Sequence, residues 1–260
     1  MLPMAGDLLF FLYILTLSGV LGAVMGSFAN CVAWRLARGE NPWTGRSRCA
    51  ACGHLLGVPD LVPVVSYLVL RGRCRHCGAR VCTRYLAVEV FTGLLYAAMA
   101  VRWGLSVQTV QYWLLATALI VAALVDLERF EIPDGCLILG LLVWLGGLPF
   151  GPDALDRLLL GLGTAAVMGA AVLLLALGMD RRLGEESLGG GDIKLLALLA
   201  CWFGPALGLF HLILSCLVGL VFALALGKQR IPFGPAIALA AFATMLVGPQ
   251  VVNWYLGLFV

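Results

Sequence analysis

Apolar runs dominate this 260-residue sequence and leave few folds open to it. A helix rising 1.5 Å per residue needs about 20 apolar residues to cross a hydrocarbon core near 30 Å thick. Runs near residues 8–33, 86–102, 107–126, 134–150, 157–178, 192–204, 206–227 and 233–258 predict eight crossings. The chain is 62% hydrophobic and 12% charged, with mean hydropathy +1.01, well outside the soluble range. The expected fold is an all-α polytopic membrane protein of about eight transmembrane helices, carrying one small cytoplasmic loop module.

Two runs need separate argument. The stretch from Asp192 to Gly204 is too short to cross lipid alone, whereas Ile193–Leu226 is too long for one upright helix, and Gly204-Pro205 breaks it in the middle. Two linked crossings are therefore expected there. The run opening at Leu8 is longer than the apolar region of a signal peptide and reads as a retained first span.

Charge gives the orientation. Nine of the 17 Lys and Arg fall between Arg35 and Arg84. With the N-terminus outside, 15 of the 17 lie at the inner face, leaving only Arg102 and Arg157 on the other side. The same rule explains the basic stretch without nucleic acid, which is not expected as a partner. The bilayer is. The reading is a multi-pass membrane protein with residues 1–34 as first span, 35–85 as cytoplasmic module and 86–260 as the main membrane domain.

Within the module, Cys49-Ala-Ala-Cys52 and Cys74-Arg-His-Cys77 form two chelating pairs, each followed by a glycine, Gly53 and Gly78. Such pairs can aim four thiolates at one tetrahedral ion, and a reducing cytosol would not oxidise them to disulfides. The expected metal is a structural Zn2+ on Cys49, Cys52, Cys74 and Cys77, because four sulfurs leave no position for a reacting water. His54 and His76 read as bystanders. Cys31, Cys136, Cys201 and Cys216 read as small core residues, and Cys82 has no assigned role.

Ionisable groups in spans usually mark function. Asp126 closes one apolar run, and Asp192 opens another after Gly189-Gly190-Gly191. Both are expected at the inner face, where two carboxyls sharing a proton could activate a water and protonate a scissile carbonyl. Lys194 could stabilise charge or anchor an acidic group of a substrate. Taken singly, either aspartate could instead be a helix cap, and together they could relay protons in a transporter, although a transporter leaves the cysteine module unexplained. Asp134, after Pro133, reads as a cap. Glu89 reads equally as a salt-bridged acid or a pocket residue, and His211 as a satisfied core residue.

These motifs, in order, resemble the type IV prepilin peptidase family over nearly the whole chain. Gly26-Ser27-Phe28-Ala29-Asn30 with Trp34-Arg35, the two cysteine knuckles, Arg84-Tyr85 with Glu89, Asp126 with Ile132-Pro133-Asp134, and Gly189-Gly190-Gly191-Asp192-Ile193-Lys194 carry the likeness. The last is similar to the Gly-x-Gly-Asp motif of intramembrane aspartic proteases. Ala50 and Leu86 stand where proline is common in the family. The resemblance implies that Asp126 and Asp192 are the catalytic pair and that the substrates are type IV prepilins or pseudopilins with a basic leader, cut at the cytoplasmic face. It also implies a second activity, N-methylation of the new terminus from S-adenosylmethionine, in the region of the cysteine module. No glycine-rich nucleotide fingerprint marks residues for that cofactor.

Overall fold

The computed structural model describes residues 5–184, 188–227 and 231–258, and the protein is helical nearly throughout. The helices are α1 (Ala5–Leu36), α2 (Val65–Val69), α3 (Thr83–Trp103), α4 (Val107–Arg129), α5 (Asp134–Gly147), α6 (Ala154–Leu183), α7 (Gly190–Leu226) and α8 (Gly234–Leu256). Two isolated β-bridges are the only extended pairing among the described residues. The chain forms two compact units, one up to Thr109 and the other from Val110.

In the first unit α1 and α3 pack antiparallel through small residues. A side chain at Gly22 would meet the Thr92 carbonyl oxygen at 2.5 Å and Gly93 Cα at 2.9 Å, so these backbones touch directly. Close backbone approach is how helices associate where lipid removes any hydrophobic drive between them. Among the described residues six helices are long and apolar enough to cross a membrane. The expected count of eight is not reached by this measure, for two reasons. The fourth expected crossing, 134–150, is a 14-residue helix followed by a short turn, and the sixth and seventh form the single element α7.

That element is nevertheless reversed in the middle. Gly204 takes φ 72 and ψ −174, a conformation that only glycine adopts without strain, and Pro205 follows it. A side chain on Gly208 would lie 3.5 Å from Ala200 Cα, and the Phe203 and His211 rings are 5.4 Å apart. Residues eight apart in a straight helix are separated by about 12 Å. The two arms of α7 therefore fold back on each other as the Gly-Pro pair predicts. In the second unit α7 packs against both α6 and α8, and Leu115, Ala116, Leu199, Ala236, Ile237 and Ala240 are fully buried. His211 is buried there within reach of the Ile237 carbonyl oxygen (3.2 Å) and the Ser215 hydroxyl (3.3 Å), the satisfied residue expected.

The apolar cysteines divide. Cys201 is buried, Cys31 and Cys136 are half-buried, and Cys216 is exposed on the outer surface of its helix rather than in a core. Of the basic residues assigned to the inner face, Lys228 and Arg230 lie outside the described residues.

Candidate active site and metal centre

The cysteine cluster is built by two copies of one turn. In the first, the Cys49 amide donates to the His54 carbonyl and the Gly53 amide to the Cys49 carbonyl, each at 2.9 Å. In the second, Cys74 donates to Ala79 at 2.8 Å and Gly78 to Cys74 at 2.9 Å. Gly53 and Gly78 have φ of +70 and +71, and each turn is closed by a bridge, Arg48 to Leu55 and Arg73 to Arg80. Sequence spacing thus predicts this module down to its glycines.

The four sulfurs of Cys49, Cys52, Cys74 and Cys77 lie within 4.8 Å of one another, with Cys49 Sγ and Cys77 Sγ 3.9 Å apart. Thiolates at about 2.3 Å from a tetrahedral zinc would sit about 3.8 Å apart, so this group could hold that ion. Electrostatics agree. Amides of Cys52 and Ala51 lower the Cys49 thiol to about 7, helped by neighbouring sulfurs. At Cys77 the Ala79 amide pulls down, but Cys52, burial, Cys74 and Cys49 push the thiol up to about 11. Four thiols this close cannot all ionise without a cation among them. His54 and His76 stack at 4.3 Å beside the sulfurs, and the Asp60–Arg75 ion pair, 2.7 Å, ties the segment after the first knuckle to the second. The Arg75 guanidinium holds the Asp60 carboxyl below the usual carboxylate range.

The carboxylate site belongs to the second unit and assembles three helix ends. Asp126 stands in the last turn of α4, 4% exposed. The chain then turns at Phe130, whose left-handed φ of 57 closes the helix by donating its amide to the Asp126 carbonyl at 2.8 Å. Asp192 stands in the first turn of α7, where Gly189 caps the helix with extended backbone. The start of α7 closes on the turn that follows Asp126, so both aspartates stand at one junction of helix ends. Asp126 Oδ2 accepts the Gly234 amide, the first residue of α8, at 2.8 Å, so a helix N-terminus is aimed at it. Asp192 Oδ1 is buried with no hydrogen-bond partner.

Two glycines of the triplet set the approach. A Cβ on Gly191 would lie 3.1 Å from Ile132 Cβ, so this residue lets the start of α7 close on the turn after α4. A Cβ on Gly189 would lie 3.1 Å from Asp192 Oδ2 itself, whereas Gly190 faces open space. The Lys194 ammonium donates to Asp134 Oδ1 at 2.9 Å across the same junction. Asp134 is therefore not the cap expected of it: no side-chain cap bond forms at α5, and the carboxylate goes to the lysine instead.

Glu89 is buried in the first unit and accepts the Val64 amide at 2.7 Å, a backbone contact that its sequence position does not suggest. Sequence reasoning missed Gly234, although the breakers Pro232 and Pro235 flank it and were the available signal for a helix start. Ile132 belongs to the Ile132-Pro133-Asp134 motif, but its contact with the start of α7 is not visible in the sequence.

Comparison with known proteins divides the chain where the structure does. Residues 20–103 match the Bacterial Peptidase A24 N-terminal domain, and residues 113–224 match the Type IV leader peptidase family. Prepilin leader peptidase/N-methyltransferase from Pseudomonas putida is 33% identical, covering 92% of each chain. The protein of that name from Pseudomonas aeruginosa is 34% identical over 91% of each chain. That from Bacillus subtilis is 30% identical over 91% of this chain and 96% of its own. No solved structure gives a significant match.

Proposed function

Because the chain belongs to the type IV leader peptidase family, we propose that it is a membrane-embedded aspartic endopeptidase that removes the basic leader of type IV prepilins or pseudopilins. We assign the chemistry to Asp126 and Asp192. The observation that supports this reading is the junction of helix ends that holds both aspartates, one carboxyl engaged by the Gly234 amide and the other presenting a bare buried oxygen.

Two carboxyls that share a site keep one proton between them. The ionised one takes a proton from water as its oxygen attacks the scissile carbonyl carbon, and the protonated one gives its proton to the carbonyl oxygen. Collapse of the tetrahedral diol returns a proton to the leaving nitrogen as the C–N bond breaks. The Gly234 amide at a helix N-terminus favours the ionised form of Asp126 and so supports it as acceptor of the water's proton, while the undonated buried oxygen of Asp192 supports that carboxyl as the proton donor.

Cys49, Cys52, Cys74 and Cys77 would hold zinc, which supplies a structural staple for a loop too small to build its own core. The relatives' name supports a second activity, N-methylation of the new terminus. For it S-adenosylmethionine would supply the methyl group, but the described residues hold no strand–turn–helix cradle for a nucleotide, and no residue fits that cofactor by this test. The nine arginines between 35 and 84 support a cytoplasmic module, and Arg129, Arg181, Arg182 and Lys194 support a cytoplasmic active site, in the inner membrane of a bacterium.

The test is to mix purified enzyme with a prepilin, with and without S-adenosylmethionine, and weigh the products. Leader loss is expected in both reactions and one added methyl group only with the cofactor. An uncut prepilin would remove the proposal.

A further inference from the structure

The cysteine module does not simply hang beyond the membrane. Its loops turn back along the helices that carry it. Trp43 packs its ring 6.3 Å from that of Phe28, a residue eight positions, about 12 Å, before the end of α1. Ser47 likewise reaches Cys31, with Oγ to Sγ at 3.8 Å. On the other side, the Val64–Glu89 bond draws the start of α2 to a residue about 9 Å inside α3. With 21 residues α3 is about 31 Å long, matching the hydrocarbon thickness with no turns to spare.

Irregular backbone at such depth must have its polar groups satisfied by protein. Two buried charges do this. Arg35 donates to the Pro42 and Gly45 carbonyls at 2.9 and 2.8 Å, and Glu89 takes the Val64 amide. What these loops then present outward is apolar: Trp43 is 75% exposed, Val65 55%, Leu68 60% and Val69 72%. Polar surface stands beside it. The only acids between Leu36 and Thr83, Glu40 and Asp60, are already paired with Arg48 and Arg75, whereas Arg46, Arg71, Arg73 and Arg80 are exposed. Apolar anchors rimmed by arginine complement an anionic lipid surface.

We propose that Trp43 and α2 form a membrane-inserted edge of the module, seated at the boundary of headgroups and acyl chains, with the surrounding arginines on lipid phosphates. The partner is the anionic leaflet that holds α1 and α3. The zinc knuckles are then pinned to the membrane surface at two points, which fixes their height.

Full-length protein in nanodiscs tests this independently of any enzymatic activity. Fluorescence of the protein minus that of Trp43→Phe isolates Trp43, and Leu68→Trp in the Trp43→Phe background reports on α2, with zinc content showing that each variant keeps its module. Lipids brominated on the acyl chains should cut both signals about twofold or more, while aqueous acrylamide has little effect. Arg71→Gln/Arg73→Gln/Arg80→Gln should lower the enrichment of phosphatidylglycerol over phosphatidylcholine around the protein several-fold. Tryptophans open to acrylamide and indifferent to brominated lipid, as expected if water covers this edge, would overturn the proposal. So would unchanged lipid enrichment in the triple variant.

Discussion

The glycine triplet before Asp192 makes three alanine substitutions behave differently. At Gly191 the new methyl would sit 3.1 Å from Ile132 Cβ, tighter than the 3.5 to 4 Å of carbon–carbon contact, so α7 or the 132 turn must give by roughly half an ångström. A displacement of about 1 Å at a reacting centre can cost about a hundredfold, so half that distance should cost about tenfold in kcat. At Gly189 the methyl meets Asp192 Oδ2, again at 3.1 Å, and moves the carboxyl directly; the loss should equal or exceed that of Gly191→Ala. Gly190→Ala meets nothing within 4 Å, and replacing glycine at the head of a helix should stabilise the protein by about 0.4 to 1 kcal/mol with activity kept. Initial rates of prepilin cleavage, with thermal unfolding of each variant in detergent, check the series. Equal damage from all three alanines, or full activity in Gly191→Ala, would refute the reasoning.

Gly22→Ala should destabilise the first unit by about 1 to 3 kcal/mol, since its methyl would press on the Thr92 carbonyl and Gly93 Cα; an unchanged melting curve would show that α1 and α3 do not touch there. Metal analysis should find one zinc per chain, lost in Cys52→Ser and in Cys74→Ser, and protein prepared without chelator yet free of zinc would contradict the site. Zinc binding must expel the protons that remain on thiols such as Cys77, held near 11, so retention against a competing chelator should weaken as pH falls; equal retention across the range would argue against thiolate ligation. Lys194→Met should leave stability within about 1 kcal/mol, because that ion pair is largely solvent-exposed; a larger loss in thermal unfolding would assign the pair a greater role.

Features that rest on local chemistry were legible in the sequence. The cysteine knuckles follow from two Cys-x-x-Cys-Gly repeats, whose turns need a glycine with positive φ at the same place. The fold-back at Gly204 follows from a Gly-Pro pair inside a run too long for one crossing. Partners distant in the chain were not legible. Asp134 has the position of a cap, but Lys194, sixty residues on, offers a charged donor stronger than a backbone amide. Glu89 looks like any acid in a span until Val64, held at φ 63, turns its amide inward. Gly234 reaches Asp126 across 108 residues, a closure that apolar periodicity does not encode. Span counting by length also meets its limit at α5, whose 14 residues carry no signal separating a short crossing from a helix packed within the protein.

The assignment of Asp126 and Asp192 to one reaction is tested most directly by cleavage rates of Asp126→Asn, Asp192→Asn and the double variant. Groups that share a proton fail together, so each single change should lower kcat on the order of 10² to 10⁴-fold, and the double change should fall to the same floor. Losses that multiply in the double variant, or cleavage that survives either single change, would show that these carboxyls do not act as one.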